Sequence, residues 1–423
     1  MARPKKDITD TTEEIVDNKP NKITKDFIDS LIKDTDFVLA ESGSLMSSRG
    51  RVTTPLYAIN CIYGGGIPLS LITRISGFPG SGKSTFSYQC MANYQKEYPD
   101  GVPVIYDMEA SMDNSRLQVL GVDTSKVLRL KATTLQDAFT NMFKMLEKLK
   151  KLRKDNPELT TFQVYDTLST GGTNKQVEAI EKGEQAFGQG TMMEAPRIIK
   201  QNFANLFPYI EEIPMFMGFL EQVFTQQNGP YAMQVAASGN FALKHDAHIH
   251  IVFGSPKDEY ERGFMVGTTS MVKLEKSKLS PKFTDIPCYI DVTQGGKIDP
   301  IVSFLKYISS SNIGIVKASS WWSISDTINQ MFEEYPMIDK DITKYDKSYR
   351  STEFIELARQ DEDLINLLQV RFIDFINGIY PGQRSVNNEY RKEIMGKCKY
   401  FKDCNTDNIP IKIDEETGEV LDV

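Results

Sequence analysis

Nine consecutive residues, Gly77-Phe78-Pro79-Gly80-Ser81-Gly82-Lys83-Ser84-Thr85, hold the clearest chemistry in the chain. They fit G-x-x-x-x-G-K-[ST], a loop whose backbone N–H groups turn inward around phosphate oxygens. Glycine is required where a side chain would fill that cradle or the backbone must turn left-handed. In such a loop Lys83 reaches the β- and γ-phosphates and the Ser84 hydroxyl ligates Mg²⁺, while the helix that begins there turns its positive dipole end toward the anion. Two carboxylates stand where they could complete the site. Asp166 closes the run Phe162-Gln163-Val164-Tyr165, and Glu109 follows Val102-Pro103-Val104-Ile105-Tyr106 by way of Asp107 and Met108. A carboxylate at the end of an apolar strand can hold the metal and its water shell, the role given to Asp166. A second one nearby can orient and deprotonate an attacking water, the role given to Glu109.

These residues need elements to hold them. Leu71-Ile72-Thr73-Arg74-Ile75-Ser76 has the pattern of a buried strand, and Thr85-Phe86-Ser87-Tyr88-Gln89-Cys90-Met91-Ala92 that of the helix after it. Leu135, Phe139, Met142, Phe143, Leu146, Leu149 and Leu152 recur at helical spacing. Lys148, Lys150, Lys151, Arg153 and Lys154 crowd the end of that helix, favouring a solvated, dipole-matched terminus over a nucleic-acid patch. A helix is expected over residues 192–206, a central strand over 213–220 and a long mobile loop over 224–240. Further strands are expected at Ile249-His250-Ile251-Val252-Phe253, Met271-Val272-Lys273-Leu274 and Tyr289-Ile290-Asp291-Val292. Strands alternating with helices in this way predict an α/β fold with a mainly parallel central sheet covered on both faces, its ligands at the carboxyl ends of the strands.

The expected organisation is an N-terminal arm and linker over residues 1–50, a core over 51–305, and a small α-rich C-terminal domain over 306–423. Ile23, Phe27, Leu31, Phe37 and Val38 suggest a short helix in the arm, which suits docking on a neighbouring copy as well as it suits an ordinary unstructured terminus. At 423 residues two or three domains are expected. No apolar run approaches the roughly twenty residues of a membrane span, and the polar start Met1-Ala2-Arg3-Pro4-Lys5-Lys6-Asp7 lacks a signal-peptide core. The five cysteines form no CxxC pair, which favours a reduced, cytoplasmic setting. A net charge of −8 does not advertise nucleic acid, but Asp414, Glu415, Glu416, Glu419 and Asp422 supply much of that acid at one end, so a local basic groove stays open.

Several ordered motifs carry a family resemblance over roughly residues 50–305. Asp107-Met108-Glu109-Ala110-Ser111-Met112-Asp113, followed by Leu120-Gly121-Val122-Asp123, resembles the D-x-E-x-x-x-D segment of RecA-type homologous recombinases. Tyr98-Pro99-Asp100 and Gly295-Gly296-Lys297-Ile298-Asp299-Pro300 are similar to the phage UvsX branch of that family. The resemblance implies a RecA-like P-loop ATPase core using ATP and Mg²⁺, with Glu109 as catalytic base. It implies that Lys276 and Lys278, in Lys273-Leu274-Glu275-Lys276-Ser277-Lys278, reach the γ-phosphate on the adjacent subunit. It makes Gln222 the polar sensor after the 213–220 strand, Asp113 an acceptor for the adenine amino group, and Arg116 a stacking partner where the family usually places tyrosine. Two segments match the family's DNA-binding loops. In the first region Gly171, Gly172, Lys175, Arg197 and Lys200 are candidates, and in the second Phe224, Tyr231, Gly239 and Lys244.

The implied function is a DNA-dependent ATPase that forms helical filaments on single-stranded DNA and exchanges strands with double-stranded DNA. A single-strand-binding protein and a loading mediator are its implied helpers, and the host cytoplasm its setting if a phage encodes it. A hexameric RecA-fold helicase and a non-catalytic ATP-gated scaffold are the alternatives. His245, His248 and His250 cluster, and a strand edge explains them better than a metal site.

Overall fold

A computed structural model describes residues 49–110, 112–131, 134–183, 194–228, 231–236, 241–380 and 384–406, together with Ser30 and Lys33. Ser30 and Lys33 are helical, as expected for the arm; its apolar residues Ile23, Phe27, Leu31, Phe37 and Val38 and the acidic end lie outside the described residues.

Leu71–Gly77 is buried at every position, as a strand covered on both faces must be, and is named β1. In chain order there follow α1 (Lys83–Glu97), β2 (Val102–Asp107), α2 (Asn114–Val119), β3 (Leu128–Leu130), α3 (Leu135–Arg153), β4 (Thr161–Asp166), α4 (Asn174–Glu181), α5 (Glu194–Glu212) and β5 (Met215–Asn228). Then come β6 (Tyr231–Ala236), α6 (Phe241–Asp246), β7 (Ile249–Phe253), β8 (Lys257–Glu261), β9 (Phe264–Ser277), β10 (Phe283–Asp291), β11 (Lys297–Ile298) and α7 (Pro300–Ser310). Six strands in the order β7-β1-β5-β4-β2-β3 run parallel. Beyond β7 the sheet continues antiparallel through β9, β10 and β11, with β8 added to β9. The expected parallel sheet is therefore the central part of a larger mixed one.

Successive residues of β1 serve opposite faces. Leu71 and Ile75 join an apolar cluster with Phe86 and Met91 of α1, while Ile72 joins another with Leu135, Phe139, Met142, Leu146 and Leu149 of α3 and Phe203 of α5. Most of the stripe expected on α3 is thus its buried face, whereas Phe143 is half-buried and Leu152, near the helix end, is exposed. Thr134 caps the helix by accepting from the Asp137 N–H at 3.1 Å. At its other end Lys150 meets Glu212 at 2.6 Å in an exposed pair that contributes little stability.

One expectation is corrected. Residues 224–240 do not form one long loop: β5 continues to Asn228 and pairs antiparallel with β6, Val223 opposite Ala236 and Asn228 opposite Tyr231. Glutamine, asparagine and glycine hid the strand signal, yet Phe224, Thr225, Tyr231 and Val235 are good strand formers on either side of a Gly-Pro turn sequence. The α-rich chain beyond 300 also carries strands. Val316–Ala318, Trp321–Ser323 and Ser348–Arg350 make a three-stranded sheet, too short for any periodicity to reveal. Helices Ser351–Gln360, Glu362–Ile379 and Arg384–Lys397 do follow, and the apolar cluster beneath α1 runs on into them as far as Phe401.

Two imidazoles fasten β7 in place. His248 Nδ1 accepts from the Ile72 N–H at 3.0 Å, and His250 Nε2 lies 2.8 Å from Ser76 Oγ with Nδ1 3.1 Å from Glu275 Oε2. Burial, helped by Lys278 and Lys276, pulls His248 down to about 4. Above about pH 6.5 this imidazole is neutral both folded and unfolded, so its stabilisation is complete there; as pH falls toward 4 the unfolded chain binds a proton that the fold excludes. Urea midpoints should therefore fall between pH 6.5 and 4, and His248→Asn, which keeps an acceptor but cannot titrate, should flatten that slope. An unaltered slope would contradict this assignment.

Candidate active site

The phosphate loop joins β1 to α1, and its glycines answer to specific neighbours. A Cβ on Gly77 would lie 2.6 Å from the Phe253 carbonyl oxygen, and one on Gly82, which has φ +100°, would lie 2.8 Å from Ile290 Cδ1. Gly80 is also left-handed at φ +71°. Lys83 is buried, its Nζ donating to the carbonyls of Gly77 at 3.0 Å and Phe78 at 2.8 Å. Burial lowers its pKa to about 8, against the opposing pull of Asp166 and Glu109. Ser81 Oγ is buried with no hydrogen-bond partner, and so is Asp166 Oδ1. Two orphaned buried oxygens beside a glycine loop at a helix N-terminus fit a phosphate with a divalent cation. Ser84 and Asp166 are the residues to hold the cation.

β2 and β4 are in register, so Asp107 and Asp166 stand side by side at the strand ends. Their partners differ. Asp107 is held by the Arg129 guanidinium, Nε to Oδ2 at 3.1 Å, whereas Asp166 Oδ2 accepts from the Tyr88 hydroxyl at 2.6 Å. Burial pushes the Asp166 carboxyl up, and the Tyr88 and Ser84 hydroxyls oppose that push. Glu109 lies beyond the end of β2, its Oε1 accepting from Thr167 Oγ1 at 3.0 Å and from Gln222 Nε2 at 2.8 Å. Gln222 in β5 stands opposite Gly77 in β1, and its own N–H donates to Ser169 Oγ at 3.0 Å. Lys83, Ser84, Asp166, Glu109 and Gln222 thus share one edge of the sheet.

Asp113 caps α2, its Oδ1 accepting from the Ser115 N–H at 3.2 Å. Arg116 spans from the Gly295 and Gly296 carbonyls, the latter at 2.8 Å, to Thr85 Oγ1 at 3.3 Å, and so ties α2 to the start of α1 and to the turn before β11. Lys276 and Lys278 are not part of this gathering. Because β9 runs antiparallel to β7, Lys276 pairs with His250 and Val272 with Phe253, while Phe253 pairs with Gly77 and Ile249 with Thr73. The lysines lie at the edge where the parallel strands begin, some four residues or ~13 Å from the phosphate loop. There Lys276 Nζ donates to the carbonyls of Lys244 at 3.2 Å and His245 at 2.5 Å.

The two loop regions leave the carboxyl ends of β4 and β5, which are neighbours in the sheet. Gly171 packs against Leu135, a Cβ there meeting its Cδ2 at 2.5 Å, and the Gly172 carbonyl accepts from the Leu135 N–H at 2.8 Å. Thr173 and Gln176 form a capping box that starts α4. Lys175 is exposed 3.8 Å from Glu194, and Arg197 and Lys200 are exposed on α5. Phe224 is 47% exposed on the β5–β6 hairpin, and Lys244 is exposed on α6. Tyr231 opens β6; its side chain and Gly239 lie outside the described residues. Tyr88, Thr167 and Ser169 were not foreseen, because a hydroxyl inside a helix or loop has no pattern until its partner's position is known.

A family model described as the RecA N-terminal domain matches residues 49–297. Protein RecA of Ureaplasma parvum serovar 3 is 23% identical over 302 residues, covering 71% of this chain and 82% of that protein. Protein RecA of Rickettsia africae is 24% identical over 312 residues, covering 71% and 84%. For Protein RecA of Ruegeria pomeroyi the figures are 24% over 265 residues, with 62% and 70% covered.

Gln222→Leu removes the amide that orients Glu109 Oε1 and leaves the phosphate loop intact. Nucleotide affinity should stay within about twofold, while turnover falls by about tenfold or more. Equilibrium binding and steady-state hydrolysis measured on one preparation check this, and full turnover would contradict it.

Proposed function

The chain belongs to the RecA family, and from that premise we propose that it hydrolyses ATP, assembles as a helical filament on single-stranded DNA, and pairs that strand with homologous double-stranded DNA. The observation that carries the reading is the separation of Lys276 and Lys278 from the phosphate loop by the length of the parallel strands. Cations at one edge of the sheet and a phosphate cradle at the other can act together only between two copies. Head-to-tail repetition of such a contact generates an open helix wherever its rotation does not close into a ring.

In this reading Lys83 leaves its loop carbonyls for the phosphates, and the N–H groups of Gly77 to Thr85 surround them. Ser84 and Asp166 hold Mg²⁺, which when bound neutralises charge on the β- and γ-phosphoryl oxygens. Glu109, held by Gln222 and Thr167, takes the proton of the attacking water. Lys276 and Lys278 of the next copy stabilise the charge that spreads over the departing γ-phosphoryl group. Asp113 and Arg116 face the base.

Gln222 sits at the root of the β5–β6 hairpin, so DNA engaging Phe224, Tyr231, Gly239 and Lys244 would bear directly on the Gln222–Glu109 bond. Gly171, Gly172, Lys175, Arg197 and Lys200 would meet the DNA backbone from the neighbouring strand end. Few charges per copy imply weak binding by one subunit and strong binding by many linked along a strand.

The finer reading follows the motifs at Tyr98-Pro99-Asp100 and Gly295 to Pro300: the UvsX branch, a phage origin, recombination linked to replication, a host-cytoplasmic setting, and a single-strand-binding protein and loading mediator as partners. Residues 1–50 serve as the assembly arm, 51–305 as the ATPase core and 306–423 as a C-terminal domain. Among the described residues no helix is long and apolar enough to cross a membrane.

Single-stranded DNA should stimulate ATP hydrolysis, with a stimulation that weakens as salt rises; no stimulation by any DNA would sink the reading. Glu109→Gln should retain ATP binding and filaments in negative stain but not turn over, and Lys276→Ala/Lys278→Ala should likewise be inactive. Mixed in equal amounts, the two inactive variants should regain activity, since about a quarter of randomly formed interfaces then pair an intact Glu109 with intact lysines. A mixture as inactive as its components would place the lysines outside the reaction.

A further inference from the structure

Tyr88 belongs to none of the motifs, yet it touches the carboxylate at the centre of the site. It lies on α1 four residues after Ser84, so the two hydroxyls share one helical face, and that face meets the end of β4. The Tyr88 ring is buried, and its hydroxyl donates to Asp166 Oδ2 at 2.6 Å. The other oxygen, Oδ1, is buried and without a partner. A terminal carboxylate torsion is broad and nearly two-fold when nothing fixes it. Here one oxygen is occupied by a donor from the same helix that carries Lys83 and Ser84, which leaves the other for a ligand.

We propose that Tyr88 is a positioning residue for the cation: by engaging Asp166 Oδ2 it fixes the plane of the carboxylate and reserves Oδ1 for the metal beside Ser84. The inference rests on the reading of this site as one for ATP with a divalent cation. It makes the phosphate loop and the end of β4 a single unit, joined through one phenol. Groups that hold a metal-binding carboxylate by its second oxygen typically carry ten- to a hundredfold in metal affinity. An ordinary structural brace would carry stability and leave the metal requirement unchanged.

The test uses the full chain with Mn²⁺ and ADP as probes. The quantities read are the Mn²⁺ concentration for half-maximal binding of a fluorescent ADP analogue, the spin-resonance line shape of bound Mn²⁺, and the affinity for ADP without metal. Tyr88→Phe should raise the half-saturating Mn²⁺ about tenfold and alter the line shape, with metal-free ADP affinity unchanged. In an Asp166→Ala background the same substitution should shift the Mn²⁺ requirement less than about twofold, because the carboxylate it acts through is gone. Tyr88→Met, equally unable to donate but freer to repack, is measured beside it, so that one folded variant suffices. If the wild type binds metal and nucleotide together and neither variant changes the Mn²⁺ requirement, the role of Tyr88 is overturned while the nucleotide reading stands. If the wild type shows no metal-dependent nucleotide binding, both fall.

Discussion

Main-chain hydrogen bonds in a parallel sheet decide which residues stand side by side, and here they set Gly77 beside Gln222 and Asp107 beside Asp166. A slip of one residue between two such strands would turn the side chains of the slipped strand to the opposite face. The register is held from within the sheet as well as by its helices. Arg74 and Glu221 form a buried ion pair between β1 and β5, and His248 accepts from the main chain of β1. The phosphate loop, the two carboxylates and the amide that touches Glu109 depend on this one alignment, since each hangs from the end of a different strand.

The alignment also accounts for the contrast between two neighbouring aspartates. Asp107 and Asp166 end adjacent strands, and both are buried. A buried carboxylate is costly unless it is paired. Asp107 is satisfied by the Arg129 guanidinium and is thereby closed to a ligand. Asp166 has a neutral phenol on Oδ2 and no hydrogen-bond partner on Oδ1, and the Lys83 ammonium that favours its charge donates to loop carbonyls instead. A guanidinium beside Asp107 and only neutral hydroxyls beside Asp166 separate a carboxylate closed by a charge from one still open to a cation.

Much of this was legible in the residue order, for identifiable reasons. Gly77 to Thr85 could be read because its geometry demands glycine at fixed places, and β1, β2 and β4 because buried parallel strands are nearly continuous apolar runs. Glu109 and Asp166 followed from where those runs stop. The β5–β6 hairpin reads as a loop in the residue order because its turn and polar residues outweigh four good strand formers. The short strands around Trp322 left no period to detect. Tyr88 was invisible for a different reason: its meaning lies in a contact across 78 positions of sequence, and nothing local to α1 marks it. The position of Lys276 and Lys278 at the far edge needed the antiparallel turn of β9, which the expectation of a mainly parallel sheet did not contain.

The proposed mechanism asks two copies to supply one site, which makes activity a property of assembly. Specific ATPase activity, measured across a range of protein concentrations at saturating single-stranded DNA with sedimentation on the same samples, tests that claim most directly. The account predicts turnover per subunit that rises with concentration and levels off as assembly is completed. Constant turnover per subunit in samples that sediment as monomers would contradict it, for Lys83, Glu109 and Asp166 would then suffice within a single chain.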